Sequence, residues 1–371
     1  MRILQVITSM RSGGAEKLIT LIAPRMIAAG HDVEVALFDG VDTHLKQVLT
    51  DRGVTVHSLS IGGSVYNPLL IGRLRRLAKG FDIVHTHNTS PQLFAALGTV
   101  GLNVRLVTTE HNTNNRRRHI PGFTVIDRWM YGRYNHIICI SDKAESYLRD
   151  YLGGKTVSVS TICNGIDLKQ IHEATGSSLL EDIAPRSRKI LMVAGFRPQK
   201  DQDTLIRAIR LLPADFHLFL AGDGVRRHDL ESLVRECDVA DRVHFLGVRD
   251  DVPALLKSTD YIVMSSHYEG LSLASVEGMA SGKPFLASDV DGLHEVVNGA
   301  GVLFEHENSR MLADKINELD TNKTLYDGVS NKCQIRAQQY DVDKMVEGYI
   351  GVYNLLLRDK PQQNNNIAWR N

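Results

Sequence analysis

Ile190-Leu191-Met192-Val193-Ala194-Gly195-Phe196-Arg197-Pro198-Gln199-Lys200-Asp201, followed by Thr204-Leu205-Ile206-Arg207-Ala208-Ile209, reads as an apolar strand, a glycine-containing turn and a helix. Four apolar residues in succession, without polar alternation, mark a strand covered on both faces, as in a parallel sheet flanked by helices. The chain opens with the same succession: Ile3-Leu4-Gln5-Val6, a loop carrying Gly13 and Gly14, then Lys17-Leu18-Ile19-Thr20-Leu21-Ile22. A second strand follows each helix, at 32–37 and 216–221. The first helix, over 15–29, stops at Gly30, where a left-handed residue closes the end without steric cost. Further strands are expected at 83–84, 106–108 and 136–140, and again at 243–246, 261–264 and 284–288. Short apolar strands alternating with helical stretches spell βα units. The fold class is therefore α/β, with two doubly wound parallel-sheet domains facing a central cleft.

The length of 371 residues agrees with two domains. Residues 1–175 are assigned to the first and 189–341 to the second. The polar stretch 176–188, carrying Pro185, is expected to link them, and the Gln/Asn-rich tail 361–371 to be disordered. Lys plus Arg and Asp plus Glu both number 43, so the formal net charge is zero. That balance excludes a general nucleic-acid binder, which needs a positive field to displace counterions. Four cysteines without a CxxC pair form neither a zinc site nor a disulfide framework, and fit a reducing cytosol. The opening apolar run is too short for a signal-peptide core, and no stretch approaches the ~18 apolar residues of a membrane span. The expected location is cytoplasmic, with any membrane contact peripheral.

Residues 265–284, SSHYEGLSLASVEGMASGKP, carry the strongest chemical signal. A strand ends at Met264, a loop holds Glu269 and Gly270, and a helix begins near Ser272 and ends at Gly282. The amides of Gly270 and Leu271 would face out of the helix's positive end, which suits a phosphate. Glu269 then lies on the rim, and Glu277 can grip vicinal hydroxyls of a ribose with its two acceptor oxygens. On spacing alone, a capped helix with two solvated glutamates is the better reading. In the turn 194–201, Arg197 and Lys200 could neutralise a departing diphosphate, or simply form an exposed basic turn. Gly13 and Gly14 permit close backbone approach to a ligand. Gly222-Asp223-Gly224 lacks the third glycine of a dinucleotide fingerprint, so an oxidoreductase is unsupported. His85 and His87 share a strand face and could make half a metal site, though burial with hydrogen bonds is the commoner outcome. His111, following the strand that ends at Thr109, is the better cleft residue. Basic residues at Arg116, Arg117, Arg118, Arg128 and Arg133, interleaved with Phe123, Ile126 and Trp129, suit an anionic membrane or lipid-linked substrate. They equally suit a solvated run beside a core helix.

Together these stretches resemble the retaining GT-B glycosyltransferases of family GT4 along nearly the whole chain. The resemblance rests on Glu269-x7-Glu277, Gly13-Gly14-Ala15-Glu16, residues 82–87 (DIVHTH), Asn164-Gly165-Ile166-Asp167 and Ala221-Gly222-Asp223-Gly224. Phe245-Leu246-Gly247, residues 289–296 and Gly301-Val302-Leu303 extend it. It implies two Rossmann-like domains, with the last helix (342–360) packing back on the first. It also implies a nucleotide-sugar donor and a glycan or lipid-linked acceptor of cell-surface polysaccharide synthesis. Glu277 is implied at the donor ribose, Glu269 and His111 at the reacting sugar, and Lys200 at the diphosphate. The amides of Gly13, Gly14, Gly270 and Leu271 are implied to contact phosphate or sugar. No cofactor or metal is expected. The family arginine falls at Gly195, and Arg197, two positions on, is carried over in its place. Alternatives are a sugar-nucleotide 2-epimerase and a catalytically silent nucleotide-sugar-binding protein.

Overall fold

The computed structural model describes residues 1–11, 13–60, 62–111, 123–153 and 157–358. Contacts divide the chain into two compact units, residues 1–163 with the segment from 343 onward, and residues 164–342.

Unit 1 is built on β1 (Arg2–Ile7), β2 (Asp32–Leu37), β3 (Thr55–Ser58), β4 (Ile83–His87), β5 (Arg105–Glu110), β6 (His136–Cys139) and β7 (Val159–Thr161). These form one sheet in the order β3-β2-β1-β4-β5-β6-β7, every neighbouring pair parallel. Unit 2 is built on β8 (Arg188–Val193), β9 (Phe216–Ala221), β10 (Val243–Gly247), β11 (Tyr261–Met264), β12 (Phe285–Ser288) and β13 (Val302–Phe304), in the order β10-β9-β8-β11-β12-β13, also parallel. Both sheets are therefore doubly wound, as the repeated opening implied. In each, the strand order reverses beside the first strand: between β1 and β4, and between β8 and β11. Ile3, Leu4, Val6 and Ile190, Leu191 are fully buried because helices cover both faces of each sheet.

The helix Val342–Arg358 belongs to unit 1 from its second residue. Tyr349 and Tyr353 on it are fully buried. The Tyr353 hydroxyl lies 2.5 Å from His85 Nδ1, and Arg25 Nε donates to Asp343 Oδ1 at 2.8 Å. The chain passes between the units at 163/164 and again at 342/343. The two passages run side by side: Ile166 N donates to Tyr340 O and Val342 N to Ile166 O. A Cβ on Gly165 would stand 2.4 Å from Val342 Cα, so this crossing requires glycine.

The polar stretch 176–188, expected as the linker, lies inside unit 2. It contains the helix Leu179–Ile183, whose Leu180 is fully buried, and Ser177 N donates to Ser258 Oγ at 2.7 Å. Leu180 and Ala184, both buried in the core of unit 2, tie this segment to it. The tail 361–371 lies outside the described residues.

Candidate active site

In unit 2, the loops leaving β8 and β11 stand at the carboxyl ends of adjacent strands. The chain goes from β8 to β9 on one side and from β11 to β12 on the other. A doubly wound sheet binds its ligands at such a switch point. The loop after β8 is held from behind: Ala194 N donates to Ala221 O (3.0 Å), Phe196 N to Asp223 O (2.9 Å) and Arg226 N to Phe196 O (3.1 Å). A Cβ on Gly222 would fall 2.0 Å from Ala194 O, and one on Gly224 2.5 Å from Phe196 O. These glycines therefore serve as a buttress for the 194–200 loop. A short 3₁₀ turn, Pro198–Lys200, leads to Asp201, which caps the helix Gln202–Leu211 by accepting from Thr204 N.

From this loop Lys200 Nζ reaches Glu269 Oε1 at 2.5 Å, and Ser266 Oγ donates to the same oxygen at 2.6 Å. The side chains are 20% and 7% exposed, so the pair is largely withdrawn from water. Glu269 is fixed by its backbone as well: its amide donates to Asp291 O at 3.0 Å. Gly292, at φ +83°, lies so close that a Cβ would meet Glu269 O at 2.2 Å and Gly270 O at 2.3 Å. Ser272 caps the helix Leu273–Ala280, accepting from Ser275 N. Among the described residues the amides of Gly270 and Leu271 donate no hydrogen bond, leaving two donors beside the positive end of that helix. Glu277 is half-buried in the helix's second turn. Arg197 is exposed and makes no side-chain bond among the described residues. Its Nε lies 3.9 Å from where a Cβ on Gly195 would be, so its side chain folds back over that glycine.

In unit 1, Gly13 precedes the helix Gly14–Ala28. The Glu16 carboxylate folds against it, with Oε2 2.1 Å from the position of a Gly13 Cβ. His111 follows β5 directly, and its Nε2 lies 2.9 Å from His87 Nδ1. His87 Nε2 in turn lies 2.9 Å from Gln5 Oε1, a carbonyl oxygen that only accepts. That fixes the protons by elimination: His87 carries its hydrogen on Nε2, so His111 donates from Nε2 and keeps a lone pair on Nδ1. His85 is bonded to Tyr353 and to Thr109 Oγ1 at 2.8 Å, and stacks on His87 with centroids 4.5 Å apart. His85 and His87 are thus buried and hydrogen-bonded, not half of a metal site. Burial lowers the pKa of His85 to about 3 and of His111 to about 4, and pushes His87 well below its ordinary value. All three are neutral near pH 7.

The structure therefore joins Lys200 to Glu269 and places Gly270, Leu271 and Glu277 on the same loop and helix. Sequence reading missed Ser266, whose only signal was its position three residues before Glu269. It also missed Asp201, His267 and His306, one ligand atom of each lying within 4.8 Å of the others. The run Arg116–Arg118 lies outside the described residues. The helix Phe123–Tyr131 beyond it exposes Val125, Ile126 and Trp129 while burying Met130 and Tyr131. No helix among the described residues is long and apolar enough to cross a membrane.

Residues 12–170 match the family model described as Glycosyltransferase Family 4, and residues 178–338 that of Glycosyl transferases group 1. The chain is 25% identical over 364 residues to N-acetyl-alpha-D-glucosaminyl L-malate synthase of Bacillus anthracis, covering 94% of this chain and 95% of that protein. It is 23% identical over 359 residues to N-acetylgalactosamine-N,N'-diacetylbacillosaminyl-diphospho-undecaprenol 4-alpha-N-acetylgalactosaminyltransferase of Campylobacter jejuni, covering 91% and 95%. Among solved structures, HepE of Anabaena in complex with UDP superposes with a TM-score of 0.82 over 96% of this chain and 100% of that one, at 22% identity. The fold is GT-B, with two Rossmann-like parallel-sheet domains.

Proposed function

This chain belongs to the glycosyltransferases of the family 4 type, and from that premise we propose that it moves a sugar, with retention at the anomeric carbon, from a nucleoside-diphosphate sugar to a hydroxyl acceptor. The observation that carries the proposal is the Lys200–Glu269 pair at the switch point of unit 2, beside the amides of Gly270 and Leu271, which donate no hydrogen bond among the described residues. A cation, two amide donors and a helix N-terminus converge there, which is what a diphosphate needs.

In the proposed reaction the bond between the anomeric carbon and the diphosphate oxygen breaks, and the acceptor oxygen bonds to that carbon on the same face. The acceptor's proton passes to the departing diphosphate. Lys200 and Arg197 neutralise the charge that develops on the leaving group, so the step needs no metal. Glu269 lies against the reacting sugar and Glu277 holds the donor ribose. For unit 1 the proposed roles are His111 at the donor sugar, accepting a hydroxyl hydrogen bond at Nδ1, and Gly13 and Gly14 as amide donors to phosphate. A uridine diphosphate sugar is the first donor to try, since HepE was solved with UDP. The proposed acceptor is a lipid-linked or growing glycan, by likeness to the Campylobacter jejuni enzyme's diphospho-undecaprenol substrate. Exposed Val125, Ile126 and Trp129 beside Arg128 and Arg133 support peripheral contact with an anionic membrane at the site of such an acceptor.

Nothing in the comparisons supports the 2-epimerase alternative. Calorimetry with UDP, followed by turnover of a nucleotide-sugar panel, tests the proposal. Glu277→Ala is expected to weaken UDP roughly 10–100-fold, the worth of hydrogen bonds to a charged group. Glu269→Ala is expected to abolish turnover while binding survives. Unchanged UDP affinity in Glu277→Ala removes the ribose role, and full activity in Glu269→Ala removes the catalytic one.

A further inference from the structure

Asp201, His267 and His306 come from three separate loops of unit 2, those leaving β8, β11 and β13. One ligand atom from each lies within 4.8 Å of the other two. The imidazoles meet edge to face, with ring planes at 86° and His267 Nδ1 2.6 Å from His306 Nε2. Glu307 adds a second carboxylate, its Oε1 3.5 Å from His267 Nδ1 and 4.0 Å from His306 Nε2. Glu307 holds a left-handed backbone, φ +61°, which costs a non-glycine residue energy. Two imidazole nitrogens and the Asp201 carboxylate thus point at one small volume, with the exposed Glu307 carboxylate beside the two histidines.

We propose that this cluster is a binding site for a divalent transition metal ion, zinc by preference. Two imidazoles with carboxylate oxygens form a donor set that zinc, cobalt and nickel take readily, whereas magnesium and calcium prefer oxygen alone. The geometry needs little adjustment. Two nitrogens on one tetrahedral zinc stand roughly 3.3 Å apart, given Zn–N bonds of about 2.0–2.1 Å, so the rings part by about 0.7 Å. Both imidazoles are only about one-third exposed, and each is long enough to give way by rotation. Asp201 accepts from Thr204 N and Thr204 Oγ1, which leaves lone pairs on a carboxylate that has about four. Its side chain is buried, so these lone pairs are shielded from bulk water and open to a cation.

The ion sits outside the proposed reaction and ties together the loops that carry it. Asp201 follows Lys200, and His267 precedes Glu269 by two residues. The loops are already laced by His267 N to Gln199 O at 2.9 Å and Gln199 Nε2 to Tyr268 O at 2.8 Å. A metal bound to both loops, and to the 305–308 turn, fixes the spacing of Lys200 and Glu269.

Titration of the full-length, tag-free chain with zinc against a chromophoric chelator tests this directly. One zinc per chain is expected, with His267→Gln and His306→Gln each weakening it at least tenfold. Cobalt is expected to give the visible d–d bands of a tetrahedral site, lost in His306→Gln. Zinc is also expected to raise the melting temperature of the wild type and not of that variant. Both imidazoles lie near the surface, so the variants keep their fold, which circular dichroism verifies. No zinc bound up to millimolar concentration, or binding unchanged in both variants, overturns the proposal. None of these readouts depends on sugar transfer, so the failure of one reading leaves the other standing.

Discussion

Replacing Lys200 by methionine leaves the Glu269 carboxylate, 7% exposed, with the Ser266 hydroxyl as its remaining hydrogen-bond partner among the described residues. Breaking a buried pair from one side costs about 3–5 kcal/mol, and because Lys200 is one-fifth exposed the low end, about 3 kcal/mol, applies here. Glu269→Gln is milder, about 1 kcal/mol, because the ammonium can turn to water while the amide still accepts from Ser266. In the double variant Lys200→Met/Glu269→Gln no charge is left buried, and the cost falls back to about 1 kcal/mol, a coupling of about 3 kcal/mol between the two positions. Whole-chain melting mixes two units, so the suitable assay is hydrogen exchange read by mass spectrometry on peptides of β11 and β12, which reports the opening of unit 2 alone. At about tenfold per 1.4 kcal/mol, Lys200→Met is expected to speed exchange there roughly 100-fold, and the double variant about fivefold. If Lys200→Met accelerates exchange less than fivefold, or the double variant is as fast as that single one, the pair is not withdrawn from water as described. The electrostatic picture of the site then fails.

Arg197→Ala is expected to lower kcat for nucleotide-sugar turnover about 100-fold, the usual loss for one stabilising donor. A Cβ on Gly195 meets nothing nearer than 3.7 Å, so a side chain can start there, and Gly195→Arg is expected to recover at least tenfold in the Arg197→Ala background. No recovery shows that the two positions do not serve the same phosphates. The depressed pKa values of His85 and His111 make unit 1 sensitive to acid. Above the unfolded value of about 6.5 both states are neutral; below it the unfolded chain takes up protons that the folded one refuses. Stability is then lost as pH falls from about 6.5 through about 4 for His111 and about 3 for His85, by up to about 1.4 kcal/mol per pH unit for each histidine. Exchange of β4 and β5 peptides is expected to follow that slope, and His111→Asn to flatten it; an equal slope in both proteins contradicts the assignment. Replacing Val125, Ile126 and Trp129 by serine is expected to reduce co-sedimentation with anionic vesicles, while unchanged co-sedimentation removes the membrane contact.

Much of this was legible in the residues themselves. The largely apolar runs 3–6 and 190–193 determine strands buried on both faces, because a parallel strand between helix layers has no solvent-facing side. Gly30, Ser272 and Gly282 punctuate helices through local geometry alone. Edge strands were harder: Thr55-Val56-His57-Ser58 and Val159-Ser160-Thr161 carry little apolar signal because an edge is only partly covered. The linker expected at 176–188 proved part of unit 2, since Leu180 and Ala184 are buried in its core despite the polar composition. Glu269, Glu277 and Lys200 could be named as candidates from the sequence through the family resemblance, since spacing alone favoured a plain capped helix. Their partners could not be. Lys200 meets Glu269 across 69 positions, His306 meets His267 across 39, and Tyr353 meets His85 across 268. Local pattern determines which residues become strands, helices and loops, because those depend on neighbours within a few positions. Which loops meet depends on the order in which strands enter the sheet. Placing β8 beside β11 is a property of the packed whole, and it alone turns two separate charged residues into one ion pair.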